Sequence, residues 1–458
     1  NVDNAAGGEI GFYSYFGRGW GVFGHATLGD VNVSNAGVVE GYAYGQSVGV
    51  FGVATEGDVN VSNSGSITAI TGGDAALGVF ARADNGTASV TNSGDITAST
   101  FPDTPYVGDV AYGILARGAY AEVANSGDIV SEGFYYATGI AALSVYGTTV
   151  TNTGGSIDVA AAGDATAIDA QSLYGDVVVS NASTIDGISL YGTSTGISGY
   201  SALGDVVIEN AADVYTGALY GAAIGIYGYS AAGDVTIDNS GDLTTISYYG
   251  LADGIFASGV NVDVTNSGAI DTTSAYGDWA AGIEAQGAEW TLVTNSGDIT
   301  ASVSPLVAVY DYAYNLVGYA AGGQAFGIYA TGGEAGTGVA NSGAITVQGG
   351  YVTGIHAQSY GDVAVTNSGD IVAGSGLNTY YNPSNYYTYY YGTQVATGIN
   401  AASNGEGAQI AISSSGDITV DAAFGASGIA ATASGYGGTV AIDNSGDIYA
   451  AQVQKYGY

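Results

Sequence analysis

The sequence predicts an all-β chain, a single parallel β-solenoid wound through all 458 residues, on three observations. A short motif returns throughout at nearly constant spacing. The runs between its copies alternate with period two. Gly, Asn, Ser or Asp bounds every run. The heptapeptide VTNSGDI stands at 90–96, 293–299 and 365–371, with VTNSGAI at 264–270. Its asparagine, or an equivalent, recurs at Asn35, Asn63, Asn92, Asn125, Asn152, Asn181, Asn210, Asn239, Asn266, Asn295, Asn341, Asn367 and Asn444, with Ser414 in its place once. The spacings are 26–30 residues, with 33, 46 and 47 as exceptions, giving about 14 coils of about 29 residues.

Each coil contains three short runs. The first is Gly-Ile/Val-x-Ala/Gly, as in GVFG at 21, GVFA at 78, GIYG at 225, GIFA at 254, GIYA at 327 and GIHA at 354. The second alternates after a Gly-Asp, as in GDVTIDN at 233–239, where Val235 and Ile237 share one face and Thr236 and Asp238 the other. The third is GDITA, as at 94–98. Period-two alternation marks strands, and no window sustains a 3.6-residue period. No single coil can bury its own Val and Ile, so stacking makes the core, with strands about 4.8 Å apart and a length on the order of 65–70 Å. The crossover rule predicts a right-handed winding. The NSG triplet is then the corner between the second and third runs. Its glycine is expected to supply positive φ there. Asn92, Asn125, Asn239, Asn266, Asn295, Asn341, Asn367 and Asn444 are expected to form a stacked structural ladder.

Composition narrows the function. Four Lys and Arg stand against 41 Asp and Glu, a formal charge of −37, while 47% of residues are hydrophobic. No basic patch exists to neutralise phosphates, which argues against nucleic acid and against anionic membrane surfaces. No apolar run is long enough to insert in a membrane as a helix. Cysteine is absent, which leaves no disulfide framework and no thiolate metal site. Most carboxylates are repeat positions: Asp30, Asp58, Asp176, Asp205, Asp234 and Asp362 share one phase, and Asp95, Asp128, Asp242, Asp298, Asp370, Asp417 and Asp447 another. A group found in nearly every coil is a poor candidate for one active site, and His25 and His356 are far apart with no evident partners, so no enzyme is expected. The acidic rows read as a solvated face that keeps the protein soluble. The alternative is calcium bridging at Asp176, Asp205 and Asp234, since divalent cations prefer oxygen ligands. Single, interrupted threonines at 68, 97, 300, 346 and 419 do not make an ice-binding array.

The repeat is broken at one phase, between the third run and the next first run. Insertions fall at 99–109, 302–323 and 373–394, and they hold all four prolines. These are expected to be loops excluded from the ladders. Ordinary coils place tyrosine in the same connection, at 13, 15, 42, 44, 135, 136, 191, 215, 220, 248, 249, 276 and 351, which predicts a tyrosine-lined edge. The scattered tyrosines are read as covers over corner Val and Ile. The dense set Tyr380, Tyr381, Tyr386, Tyr387, Tyr389, Tyr390 and Tyr391, with Tyr310, Tyr312 and Tyr314, is read as a contact surface, because tyrosine offers rigid amphipathic area at small entropic cost.

The VTNSGDI…GIYA pattern resembles the β-helical passenger regions of autotransporters and related large secreted adhesins of Gram-negative bacteria, over essentially the whole chain. The resemblance implies an extracellular or cell-surface protein with roles in adhesion, aggregation or biofilm. The chain opens inside a second run and stops shortly after a third, at nearly compatible phases. Two functions are therefore expected. One is a fibre subunit that adds head to tail to copies of itself, with tyrosine-rich lateral loops. The other is an adhesin that meets glycans or proteins through its tyrosine edge. An origin as a segment of a longer precursor fits either.

Overall fold

The computed structural model describes every residue except 101–109, 305, 311–315, 376, 383–386 and 453–458, and of 306–310, 316–321, 377–382 and 387–391 it describes the backbone. The described residues contain strands and no helix. They divide into two compact units, residues 1–221 with 225–241, and residues 222–224 with 242–458. Each unit is a parallel β-solenoid.

In the first unit the third runs form one parallel wall, from Glu9–Ser14 paired with Val38–Ala43 through to Ile185–Ser189 paired with Val214–Ala218. In the second unit the wall runs from Leu243–Ser247 paired with Ile270–Ser274 to Ile418–Ala422 paired with Ile448–Gln452. First and second runs stack likewise, rung on rung, as Val31–Asn35 on Val59–Asn63. Alternation sorts the side chains: in Val235–Asn239 the residues Val235, Ile237 and Asn239 are buried and the two between them exposed.

The three-strand coil needs one amendment. Where a coil carries Gly-Asp, first and second runs are separate strands, as Ser194–Ser201 and Val206–Asn210. In five coils that lack the dipeptide the chain bends without leaving the ladder, and single strands cover both walls: Ala75–Asn92, Val110–Asn125, Tyr136–Asn152, Ala252–Asn266 and Trp279–Asn295. In others that lack it a glycine-containing turn separates the runs, as between Gln324–Thr331 and Gly336–Asn341 or Val395–Ser403 and Gln409–Ser414. The bend is taken up by register shifts such as those at Gly118/Tyr120 and Gly259/Asn261, which turn a strand without a loop.

Two glycine rows hold the coils together by closeness of approach. The glycine of Gly-Ile/Val-x-Ala lies against the isoleucine of the third run: a Cβ on Gly78 would fall 2.2 Å from Ile96 Cγ2, and one on Gly282 would fall 2.3 Å from Ile299 Cγ2. The NSG glycine was expected to supply positive φ, and in the NSG copies it does not; only Gly155, which stacks on Gly127 in the variant NTGGS, has it among the described corners. The reason for the NSG glycine is steric. A Cβ on Gly94 would sit 1.9 Å from the Gly65 carbonyl oxygen, and one on Gly297 would sit 1.9 Å from that of Gly268. Stacked corners touch backbone to backbone and leave no room for a side chain.

The insertions at 302–323 and 373–394 begin in the third wall, where Ser302, Val303 and Ala373 are still paired, and then leave it without being irregular. Leu306–Tyr310 pairs antiparallel with Leu316–Ala321, and Leu377–Asn382 pairs antiparallel with Tyr387–Gly392, each as a separate two-stranded sheet. Most of the first insertion, 101–109, lies outside the described residues.

Candidate functional site

The repeat's polar residues are engaged in coil-to-coil bonding. In the first unit Asn4, Asn35, Asn63, Asn92, Asn125, Asn152, Asn181 and Asn210 each donate from Nδ2 to the Oδ1 of the next asparagine, ending on Asn239, at 2.6–2.8 Å. In the second unit Asn266, Asn295 and Asn341 donate to the next asparagine at 2.7–2.8 Å, and Asn367 donates to Ser414 Oγ at 3.3 Å. Most also donate to the carbonyl two residues on, as Asn92 to Gly94 and Asn239 to Gly241. Asn444 is exposed and donates to Gly446 O. A buried primary amide with both hydrogens placed is satisfied, so the row is stable in the core.

The aspartate rows do similar work at the surface. Asp176 Oδ1 accepts from the Asp205 backbone N–H at 2.9 Å, and Asp205 Oδ1 accepts from that of Asp234 at 2.8 Å. In the second unit Asp298 and Asp370 accept from Ala344 and Asp417 N–H. Neighbouring carboxylates about 5 Å apart repel by roughly 1 kcal/mol in water, whereas a hydrogen bond to a charged acceptor stabilises by about 1.5–3 kcal/mol. The bond wins, and the repeat carboxylates need no cation to be accounted for. Among the described residues no three acidic or imidazole side chains come together as a metal site.

What remains is aromatic, and it lies in three places. The predicted edge exists in pieces. Tyr191 stacks on Tyr220 at 5.5 Å between ring centroids, while Tyr276 meets Tyr248 at 4.8 Å and Tyr249 at 5.6 Å. Tyr13, Tyr42 and Tyr215 are expected on this edge but belong to third-wall strands, where Tyr13 stacks on Tyr42 at 5.2 Å and Tyr215 faces outward. Tyr136 and Tyr351 open first-run strands. A second row, Tyr120–Tyr146–Tyr174, follows the bend between first and second walls. Sequence reasoning missed it.

The third aromatic set, also missed, covers the outer surface of the first wall. In the first unit Trp20, Phe23, Phe51 and Phe80 form a continuous stack, with Phe51 and Phe80 at 4.9 Å and nearly parallel. Tyr200 and Tyr229 stack further on, at 5.5 Å. In the second unit Trp279, Phe326, Tyr329 and His356 pack together, with His356 flat on Tyr329 at 4.9 Å. His356, which lacked an evident partner in the sequence, also hydrogen-bonds Asn400 through Nδ1 at 3.0 Å, and burial lowers its pKa. The signal was present in the motif itself. In GVFG, GVFA, GIYA and GIHA the variable third residue points away from the Ile, hence outward.

Beside that second-unit cluster lie two buried carboxyls. Asp253 is 4% exposed and Glu284 9%. Trp279 Nε1 donates to Asp253 Oδ1 at 3.0 Å, and Gln286 Nε2 donates to Glu284 Oε1. Burial, and then the Glu284 charge, push the Asp253 pKa up to about 8, and burial raises that of Glu284. At neutral pH Asp253 is therefore mostly the neutral acid. It could hold or pass a proton, but a carboxyl so enclosed gives a substrate little access.

The tyrosine contact surface was placed on the insertion hairpins. Tyr380 pairs with Tyr389 across one hairpin, Tyr390 and Tyr391 pair with Thr379 and Asn378, and Tyr381 and Tyr387 with Thr388 and Asn382. Tyr310 ends a strand of the other. Tyr312, Tyr314 and Tyr386 lie outside the described residues. Fold and surface define a β-solenoid repeat protein with aromatic outer ladders. Comparison with protein-family models, curated proteins and solved structures finds no match.

Proposed function

We propose that this chain is a non-enzymatic structural protein, exported to the cell surface or the extracellular space, whose copies add head to tail into β-solenoid fibres. One observation carries the reading: the contact between coils repeats with little change from rung to rung. At most rungs asparagine meets asparagine, carboxylates at the Gly-Asp corners meet backbone N–H, and Val or Ile stacks on its own equivalent. Such an interface is complementary to any other coil of the same kind, including one from a second copy. Addition of this sort is heterologous and propagates. The resemblance to Gram-negative passenger regions supports the surface location.

Electron microscopy across a concentration series, with and without chelator, tests the proposal. Uniform fibres many copies long, one solenoid wide or bundled, are expected. Particles that stay single at every concentration would refute it, and fibres lost in chelator would restore a role for calcium.

A second reading is an adhesin that binds glycans or proteins through its aromatic edge. The stacked, half-exposed tyrosines favour it, since rigid aromatic area is typical of contact surfaces. Retention of single copies on a glycan surface, lost when the tyrosines of 380–391 become serine, would select this reading over the fibre.

A further inference from the structure

Basic side chains are so scarce in this chain that their placement is informative. Two of the four, Arg82 and Arg117, occupy the same position on adjacent rungs of the first wall, paired in register. Both are exposed. Adjacent rungs are about 4.8 Å apart, so the two arginines stand side by side on one face and their like charges repel. Arg82 Nε donates to Asp84 at 2.6 Å, which leaves its terminal nitrogens available; Arg117 has no ion-pair partner among the described residues. Phe80 and Leu115 form the neighbouring outward pair of the same two rungs, and Phe80 continues the stack from Phe51.

The complementary arrangement stands on the third wall of the same unit. Asp158 and Asp186 are paired in register on adjacent rungs, both exposed, with Ala160 and Ile188 as the neighbouring outward pair. Ile188 is 51% exposed. Asp158 Oδ2 accepts from Ser156 Oγ at 3.3 Å, and burial and then the charge of Asp158 raise the Asp186 pKa, so the two carboxylates repel each other. The two rung pairs share one spacing because both are set by the sheet, and their signs are opposite. They stand on different walls and different coils, so they cannot meet within one copy.

We propose that the Arg82–Arg117 rung pair of one copy docks on the Asp158–Asp186 rung pair of a second copy, with Phe80 and Leu115 seated against Ile188 and Ala160. Each guanidinium meets one carboxylate in the planar geometry arginine favours, and both like-charge contacts are relieved. The two surfaces differ, so the contact is heterologous and can repeat from copy to copy, joining solenoids side by side. Repulsion between two chains of charge −37 does not prevent it at physiological salt, where charges beyond roughly 8 Å are screened. The inference rests on reading the chain as self-assembling, and it supplies the lateral contact which that reading otherwise assigns only to the tyrosine hairpins.

Charge reversal tests it. Arg82→Glu/Arg117→Glu and Asp158→Arg/Asp186→Arg are made in the full chain and compared with the parent by sedimentation velocity. Each alone is expected to lose side-by-side association, and a one-to-one mixture to regain it at least tenfold more tightly than either variant alone. A mixture no tighter than its components overturns the proposal. So does an Arg82→Gln/Arg117→Gln variant that associates like the parent, which guards against misfolding of the reversed pair. Microscopy separates this contact from end-to-end growth. Long single fibres that no longer bundle in either reversed variant support the docking, and fibres that bundle unchanged overturn it alone. Where no preparation forms long fibres the end-to-end reading fails, and the mixing result still decides the docking.

Discussion

At the scale of single residues, the recurrent asparagine and glycine are coil-to-coil fittings with separate tasks. Asn181 shows the first. It donates to Ser183 O and Asn210 Oδ1 and accepts from Asn152, all in the core. Ser183 N–H also donates to its Oδ1, at 3.4 Å. Asn181→Ala removes these four bonds and strands the Asn152 amide, so a loss of roughly 3–4 kcal/mol is expected at about 1 kcal/mol per bond. Asn181→Asp keeps the acceptor but buries a charge and gives up both donations, and should cost more. Denaturant titration ranks the two, and an Asp variant as stable as the parent would contradict the ladder. Gly94 shows the second task. Gly94→Ala puts a methyl 1.9 Å from the Gly65 oxygen, and overpacking of this kind costs about 1–3 kcal/mol. A glycine needed for φ alone would tolerate Asn, so Gly94→Asn should destabilise at least as much as Gly94→Ala.

At the scale of elements, two features make distinct predictions. The Gly-Asp corners lend a carboxylate oxygen to the next coil's N–H. Asp205→Asn keeps such an acceptor and should leave stability within about 0.5 kcal/mol, while Asp205→Ala leaves the Asp234 N–H unmet and should cost about 1 kcal/mol. Calcium should shift neither midpoint, and a thermal midpoint that rises with calcium in the parent and not in the variants would reverse that reading. The second feature is the buried pair on the second unit's first wall. The folded-state pKa of Asp253, about 8, lies above its unfolded value near 4. The stability it contributes is therefore complete below about pH 4 and lost as pH rises toward 8. Asp253→Asn should remove that slope. Trp279, which donates to the same carboxyl, gives a local readout: its emission should change with a midpoint near pH 8 in the parent and stay constant in the variant.

At the scale of the whole molecule, the proposed reading makes stability and assembly two uses of one interface. A coil stacks on its neighbour through bonds that do not depend on which chain supplies the neighbour, so growth by addition needs no further device. Fibre length should therefore rise with protein concentration, as read by microscopy.

The sequence by itself determined the solenoid: period-two runs punctuated by turn residues at a 29-residue spacing admit no helix and only one way to bury Val235, Ile237 and their equivalents. It also located the insertions and most of the tyrosine edge, because a broken repeat is visible as such. Tertiary structure decided what the repeat does not encode. Whether first and second runs bend or break depended on register across coils, as at Gly118/Tyr120. The glycine of NSG is required by a carbonyl one coil away, a contact between residues about 29 apart that no local pattern reveals. The facing of x in Gly-Ile-x-Ala, hence the aromatic ladders and the Asp253–Glu284 pair, followed only once each side chain had a wall to stand on. The meeting of Arg82 with Arg117, and of Asp158 with Asp186, came from stacking alone. Charges 35 and 28 positions apart in the chain become neighbours because coils of unequal length are held to one register.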